Sequence, residues 1–218
     1  MPRINPVIVH EPWSFDKIFP YLKDAFGVMN EAYKIIYKEK SIHPYKKPAN
    51  KKKWNLENSL TEDLVRIAET IPTELFYELD IESKNPKKKN RIDITIIYAL
   101  GIGFEQRLGI ECKRLKNNNR FCYEYHENGI KRFVEGYYSE KMPIAGMIGF
   151  IQEDSADEIV PNINRHLDKF TTIQPLKPVS LVEHVHFTFF SRHKRSGELG
   201  EIKLYHLMLD YIKLIVSG

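Results

Sequence analysis

Residues 91–115 read RIDITIIYALGIGFEQRLGIECKRL. Two runs rich in Ile, Tyr, Thr and Phe, 91–100 and 104–115, flank Gly101 and Gly103, the composition and punctuation of two β-strands joined by a short reversal. Alternation assigns their faces: Ile92, Ile94 and Ile96 share one side and Asp93, Thr95 and Ile97 the other, while Ile110 and Cys112 oppose Glu111 and Lys113. An acid on a strand that should be largely buried is costly unless it is paired or binds a cation. Glu111 and Lys113 are then either a plain ion pair on a solvent face or half of a metal-dependent site.

Outward from this pair, ELFYELDIE (74–82) reads as a preceding strand, so that three strands form an antiparallel meander. Before it, a helix over about 57–71 places Leu60, Leu64, Ile67, Ala68 and Ile71 on one side. After it, a helix is expected over 128–140 with Ile130, Phe133, Val134 and Tyr137 as its stripe. The continuous apolar run PIAGMIGFIQ (143–152) suits a strand buried on both faces. A helix over about 154–170 and strands near 183–190 and 201–209 follow. At the other end, Phe15, Ile18, Leu22, Phe26, Met29, Tyr33 and Ile36 mark a helix over 14–40 that Ser14 could cap and Pro20 should kink or split. The expectation is a single α/β domain spanning 1–218: an N-terminal helical extension and basic loop to residue 54, a core over 55–152 with a mixed sheet, and a C-terminal helix with a strand pair.

Charge says more through its placement than through its net value of +4. Lysines and arginines crowd 46–53 (Lys51, Lys52, Lys53), 84–91 (Lys87, Lys88, Lys89), 113–120 and the turn SRHKR at 191–195, each in a stretch that reads as a loop. One such run is often only a solvated surface. Four of them in a chain otherwise rich in acid point to a phosphate backbone as partner. No stretch approaches the roughly 20 apolar residues that cross a bilayer, and the opening residues lack a signal core, so a cytoplasmic protein without a membrane partner is expected. Cys112 and Cys122 read as free thiols.

If the strands of Asp93 and Glu111 are neighbours, their carboxylates converge at one end of the sheet. Two hard oxygen ligands, with the backbone carbonyl of Cys112 and waters, suit Mg²⁺, for which Mn²⁺ would substitute. Lys113 would stand beside the attacking water, to orient it, to stabilise charge or to accept a proton.

The set Ile92-Asp93 and Glu111-Cys112-Lys113, on the second and third strands behind a helix that opens with Glu57, resembles the PD-(D/E)xK nuclease superfamily over residues 55–152. Ile92 stands where that family's name has Pro. The resemblance implies a restriction-endonuclease-like core ordered helix, three strands, helix, strand. It also implies a metal-dependent nuclease in which Asp93 and Glu111 bind the metal, Lys113 assists the water and a helical Glu completes the site. Two acids compete for that last place. At about 100° per residue Glu57 falls in the sector of Leu60, Leu64 and Ala68, whereas Glu62 lies on the opposite side and fits a capping box with Ser59. Glu57 is the choice, provided the helix extends back one turn.

Arg132, on the following helix, is an accessory candidate for phosphate. Arg192, His193 and Arg195 are candidate DNA contacts; His184 and His186 alternate on a strand and are read as structural. The expected function is a DNA endonuclease of prokaryotic restriction or phage defence, with room for a homodimer or a partner protein of such a system. An inactive nucleic-acid-binding or scaffold subunit of the same fold and an RNA-directed nuclease are the alternatives.

Overall fold

The structure, a computed structural model, describes residues 15–46, 55–79, 92–99, 105–138, 142–169, 172–182 and 187–216. Strands β1 (Phe76–Leu79), β2 (Ile94–Ala99), β3 (Glu105–Leu115), β4 (Ile144–Ile151), β5 (Thr172–Pro178), β6 (Thr188–Lys194) and β7 (Glu201–Asp210) form one mixed sheet in the order β1-β2-β3-β4-β7-β6-β5. The first three run antiparallel, as the meander requires. Pairs β3–β4 and β4–β7 are parallel, and β7–β6–β5 is antiparallel again. The expected C-terminal strand pair is therefore β6 and β7, and β7 lies inside the sheet beside β4.

Helices cover both faces. On one lie α1 (Phe15–Lys40) and α2 (Leu56–Ala68), packed on Ile94, Ile96, Leu108, Ile110, Ile148 and Leu207. On the other lie α3 (Asn119–Tyr125), a π-helical turn (His126–Ile130), α4 (Lys131–Val134) and α5 (Ala156–Leu167), packed on Leu115, Ala145, Met147, Ile151, Leu204 and Phe189. The stripe of α1 buries Ile18, Leu22, Phe26, Met29 and Ile36, each such side chain adding about 1.5–3 kcal/mol. α1 runs unbroken through Pro20, so its first turn is not split off; Ser14 lies outside the described residues.

Strand β4 is buried along its whole length, and two glycines set how closely its neighbours approach. A Cβ on Gly146 would stand 2.8 Å from Ile110 and 3.1 Å from Phe26, and one on Gly149 would stand 2.5 Å from the Met208 sulfur. The first glycine lets α1 close on one face; the second lets β3 and β7 side chains meet on the other.

Several expectations are corrected. α2 begins at Leu56 behind the Asn55 cap, whose side chain accepts from the Asn58 amide, so Ser59 and Glu62 form no capping box: the Ser59 hydroxyl donates instead to the Asn55 carbonyl. The helix expected over 128–140 starts at Asn119, capped by Asn118, and stops at Val134. With the π turn inserted and the helix ended, the inward side chain is Tyr138, while Tyr137 is exposed. β5 was not expected, because Pro175 and Pro178 break the strand signature; it is an edge strand, where a residue without an N–H is tolerated. The basic run 113–120 is the end of β3 and the start of α3 with a three-residue connection, 116–118, between them. Its charges are matched in place: Lys116 pairs with Glu153, and Arg120 with Glu124 at 3.0 Å. No described helix is long and apolar enough to cross a membrane.

Candidate active site

The β2–β3 register pairs Ile94 with Ile110, both toward α1 and α2. One step further along it, Asp93 falls beside Glu111, on the face that carries Lys113 and Leu115. Asp93 Oδ2 accepts a hydrogen bond from the Cys112 amide at 2.8 Å, which anchors the acid at the mouth of the strand pair. From the other layer, the early start of α2 brings Glu57 in: its Oε2 accepts from the Arg114 amide at 3.0 Å and its Oε1 lies 3.2 Å from Lys113 Nζ.

Lys113 Nζ is the hub. It lies 2.7 Å from Glu111 Oε1, 3.2 Å from Glu57 and 3.7 Å from Asp93 Oδ2, and donates to the Cys112 carbonyl at 2.8 Å. The structure thus brings Glu57, Asp93, Glu111, Lys113 and the Cys112 carbonyl together. Glu62 is exposed and takes no part.

Burial and charge compete here. Burial pushes the Glu111 carboxyl up to about 8, against the downward pull of Lys113. Burial raises Asp93 too, opposed by Lys113 and the Cys112 amide and reinforced by Glu57. Burial acts to lower Lys113, but Glu111, Asp93 and Glu57 outweigh it and hold the ammonium well above the ordinary lysine range. Three acids around one firmly charged lysine leave surplus acceptor capacity, and it shows at one atom: Glu111 Oε2 is buried with no hydrogen-bond partner. An oxygen-only donor set with an orphaned carboxylate oxygen fits a hard divalent cation. Among the described residues no three His, Cys, Asp or Glu side chains stand as a ready-made cage, because the lysine ammonium sits among the acids.

Arg132 lies close enough to Glu111 and Asp93 for both to stabilise its charge, and it donates to the Tyr138 hydroxyl while its guanidinium lies 5.6 Å from that ring. Burial, with Glu111 as the next cause, raises the Tyr138 phenol to about 12. Tyr138 was missed from sequence, since the expected stripe ran through Tyr137. Gln152 was missed as well; it accepts from Arg114 Nη2 at 2.8 Å across β3 and β4.

The remaining candidates divide. Arg192 keeps its side chain 39% exposed, 3.4 Å from Glu201. The surface turn assigned to SRHKR is corrected: residues 191–194 belong to β6, alternation turns Ser191, His193 and Arg195 inward, and His193 and Arg195 are buried rather than held out toward a DNA backbone. The lysines at 51–53 and 87–89, and His184 and His186, lie outside the described residues.

No family model matches the chain, and neither the curated proteins nor the solved structures contain a match to it.

Proposed function

We propose that this chain is a metal-dependent DNA phosphodiesterase with a restriction-endonuclease-like core, cutting within strands. The observation that carries the reading is the meeting of Glu57, Asp93, Glu111 and Lys113 at one strand end, with Glu111 Oε2 left without a partner. The order of elements supports it: α2, then β1 to β3, then α3 with α4, then β4 parallel to β3.

Asp93, Glu111 and the Cys112 carbonyl would hold Mg²⁺ or Mn²⁺, with Glu57 in outer support. Bound there, the cation supplies charge neutralisation at the phosphoryl oxygens and a more acidic attacking water. Of the three roles open to Lys113, its acid neighbours favour the charged ones, orienting the nucleophile and stabilising developing negative charge, over that of proton acceptor. Arg132, steadied by Tyr138, would meet a non-bridging phosphate oxygen, and Arg192 with Lys51–Lys53 and Lys87–Lys89 would hold the backbone. The setting this activity suits is restriction or phage defence in a prokaryotic cytoplasm, with a partner protein or a second copy supplying targeting.

Supercoiled and linear DNA incubated with Mg²⁺ or Mn²⁺ tests the reading. Asp93→Ala and Lys113→Ala should each lower cleavage by at least about 10²–10³-fold, with far-UV circular dichroism and DNA binding retained. Cleavage that survives both substitutions ends the proposal. One observation favours a second reading: the ammonium fills the space among the acids, as it would in a structural ion cluster of an inactive nucleic-acid-binding subunit. That subunit would gain no melting temperature from Mn²⁺, whereas a metal site gains about 2.7 kcal/mol at 100 times its Kd.

A further inference from the structure

The inward face of β6 carries polar groups that the proposed chemistry does not use. The Tyr125 hydroxyl lies 2.9 Å from His206 Nδ1, His206 Nε2 lies 2.9 Å from Ser191 Oγ, and Ser191 Oγ lies 2.8 Å from His193 Nε2. All four residues are buried. Burial, with His193 as neighbour, holds His206 well below the ordinary histidine range, and burial with His126 nearby lowers His193 to about 4, so both rings are neutral near pH 7.

Neutrality fixes the direction of the chain. Each neutral ring carries one N–H and Ser191 one O–H. If Tyr125 donates to His206 Nδ1, then His206 Nε2–H donates to Ser191, Ser191 donates to His193 Nε2, and every hydrogen but the one on His193 Nδ1, at the cavity wall, has an acceptor. The reverse direction would leave the buried phenol hydrogen without an acceptor, since His206 is the hydrogen-bond partner of Tyr125 among the described residues. The network therefore ends on a His193 whose remaining ring hydrogen, on Nδ1, makes it a fixed neutral donor.

Where the chain ends, a cavity of about 310 Å³ opens, lined among others by His126, Lys131, Lys169, His193 and Ser196. Its one lining acid among the described residues, Glu135, lies 4.0 Å from Lys131 Nζ, which Glu127 Oε2 also holds at 2.8 Å, and Lys169 and Ser196 are exposed at the wall. Lys131 is thus matched by two acids, and what the lining offers a ligand is the Lys169 ammonium, the Ser196 hydroxyl and the ring N–H of His193, a wall rich in donors whose charge comes from Lys169. Such a wall disfavours a cation and suits an anion that only accepts hydrogen bonds.

We infer that this cavity is a second site, distinct from the acid–lysine cluster, that binds a phosphate group such as a mononucleotide or a phosphorylated nucleic-acid end carries. Lys169 supplies charge, and His193, set by Ser191 and His206, supplies a neutral directed hydrogen bond.

Calorimetric titration of the full chain with inorganic phosphate, a mononucleotide, and a short oligonucleotide with and without a 5′-phosphate tests this. At least one phosphate-bearing titrant should bind at millimolar concentration or below. Lys169→Glu, at an exposed position, and Ser191→Ala, which frees the His193 tautomer, should each weaken that binding by about tenfold or more. Nitrogen NMR should show His193 as the Nδ1–H tautomer in the free protein and shifted when the titrant is bound. Asp93→Ala should bind unchanged, which separates this site from the nuclease reading. Binding of the phosphorylated oligonucleotide alone assigns the site to strand ends; binding of the mononucleotide assigns it to a small molecule. If no titrant binds, or if Lys169→Glu and Ser191→Ala both bind as the parent does, the inference is overturned.

Discussion

Two polar groupings among the described residues interrupt the apolar interior, and they are satisfied in opposite ways. At the β2–β3 end, three acid side chains share one ammonium and an acid oxygen remains unmatched. Under β6 and β7, four neutral groups form a chain in which every hydrogen but the last, on His193, has an acceptor. Buried charge demands compensation that neutral hydrogen bonding does not. The first grouping is therefore built around something positive; the second needs nothing from outside along its length and leaves a donor open only at its end.

The largest test of that contrast removes the cation. Lys113→Met leaves Glu57, Asp93 and Glu111 facing one another and should lower stability in urea by about 3–5 kcal/mol, with part of the loss recovered when Glu111→Gln is added. A single variant as stable as the parent would show that the acids are as well solvated as surface groups, and the contrast would fall.

Acidity offers a second test, because the two groupings respond with opposite sign. Glu111 has its carboxyl raised from 4.5 to about 8, so the folded protein holds a proton that the unfolded chain releases, and this contribution is lost as pH rises across that window. His193 is lowered from 6.5 to about 4, so the unfolded chain takes up the proton first, and stability is lost as pH falls from 6.5 toward 4. Melting temperature against pH in the absence of divalent ions should decline on both sides, each group contributing on the scale of about 1.4 kcal/mol per pKa unit. Glu111→Gln should flatten only the alkaline limb and His193→Gln only the acid one.

The smallest effect sharpens the view of how Glu57 reaches the cluster. Asn55→Ala removes the cap of α2 and should cost about 1 kcal/mol, whereas Glu62→Ala should stay within about 0.5 kcal/mol. Equal losses would return the helix start to Ser59.

Much of the cluster was legible in the sequence because strand alternation and helical angle are local rules: period two placed Glu111 with Lys113, and the 100° step chose Glu57 over Glu62. The β4 core strand was equally plain from its unbroken apolar run. What stayed hidden depended on partners distant in the chain. Ser191, His193 and Arg195 looked like a basic surface turn, since nothing nearby announces that His206 on β7 waits opposite Ser191. The three asparagines at 117–119 read as a loop although Asn118 caps α3. The prolines of β5 masked an edge strand, and Tyr138 turned inward only because the helix around it ended early.

The place of β7 bears on how the chain reaches its native state. Its neighbour β4 is apolar on both faces and hydrogen-bonds to β3 on one side and to β7 on the other. During synthesis, a ribosome-bound chain that has released residues 55–152 therefore presents an open, sticky strand flank until Asp210 has emerged. Cutting the gene back to that segment would preserve every acid of the cluster and still expose the flank, so the shortest version holding the whole constellation is a poor candidate for a well-behaved product.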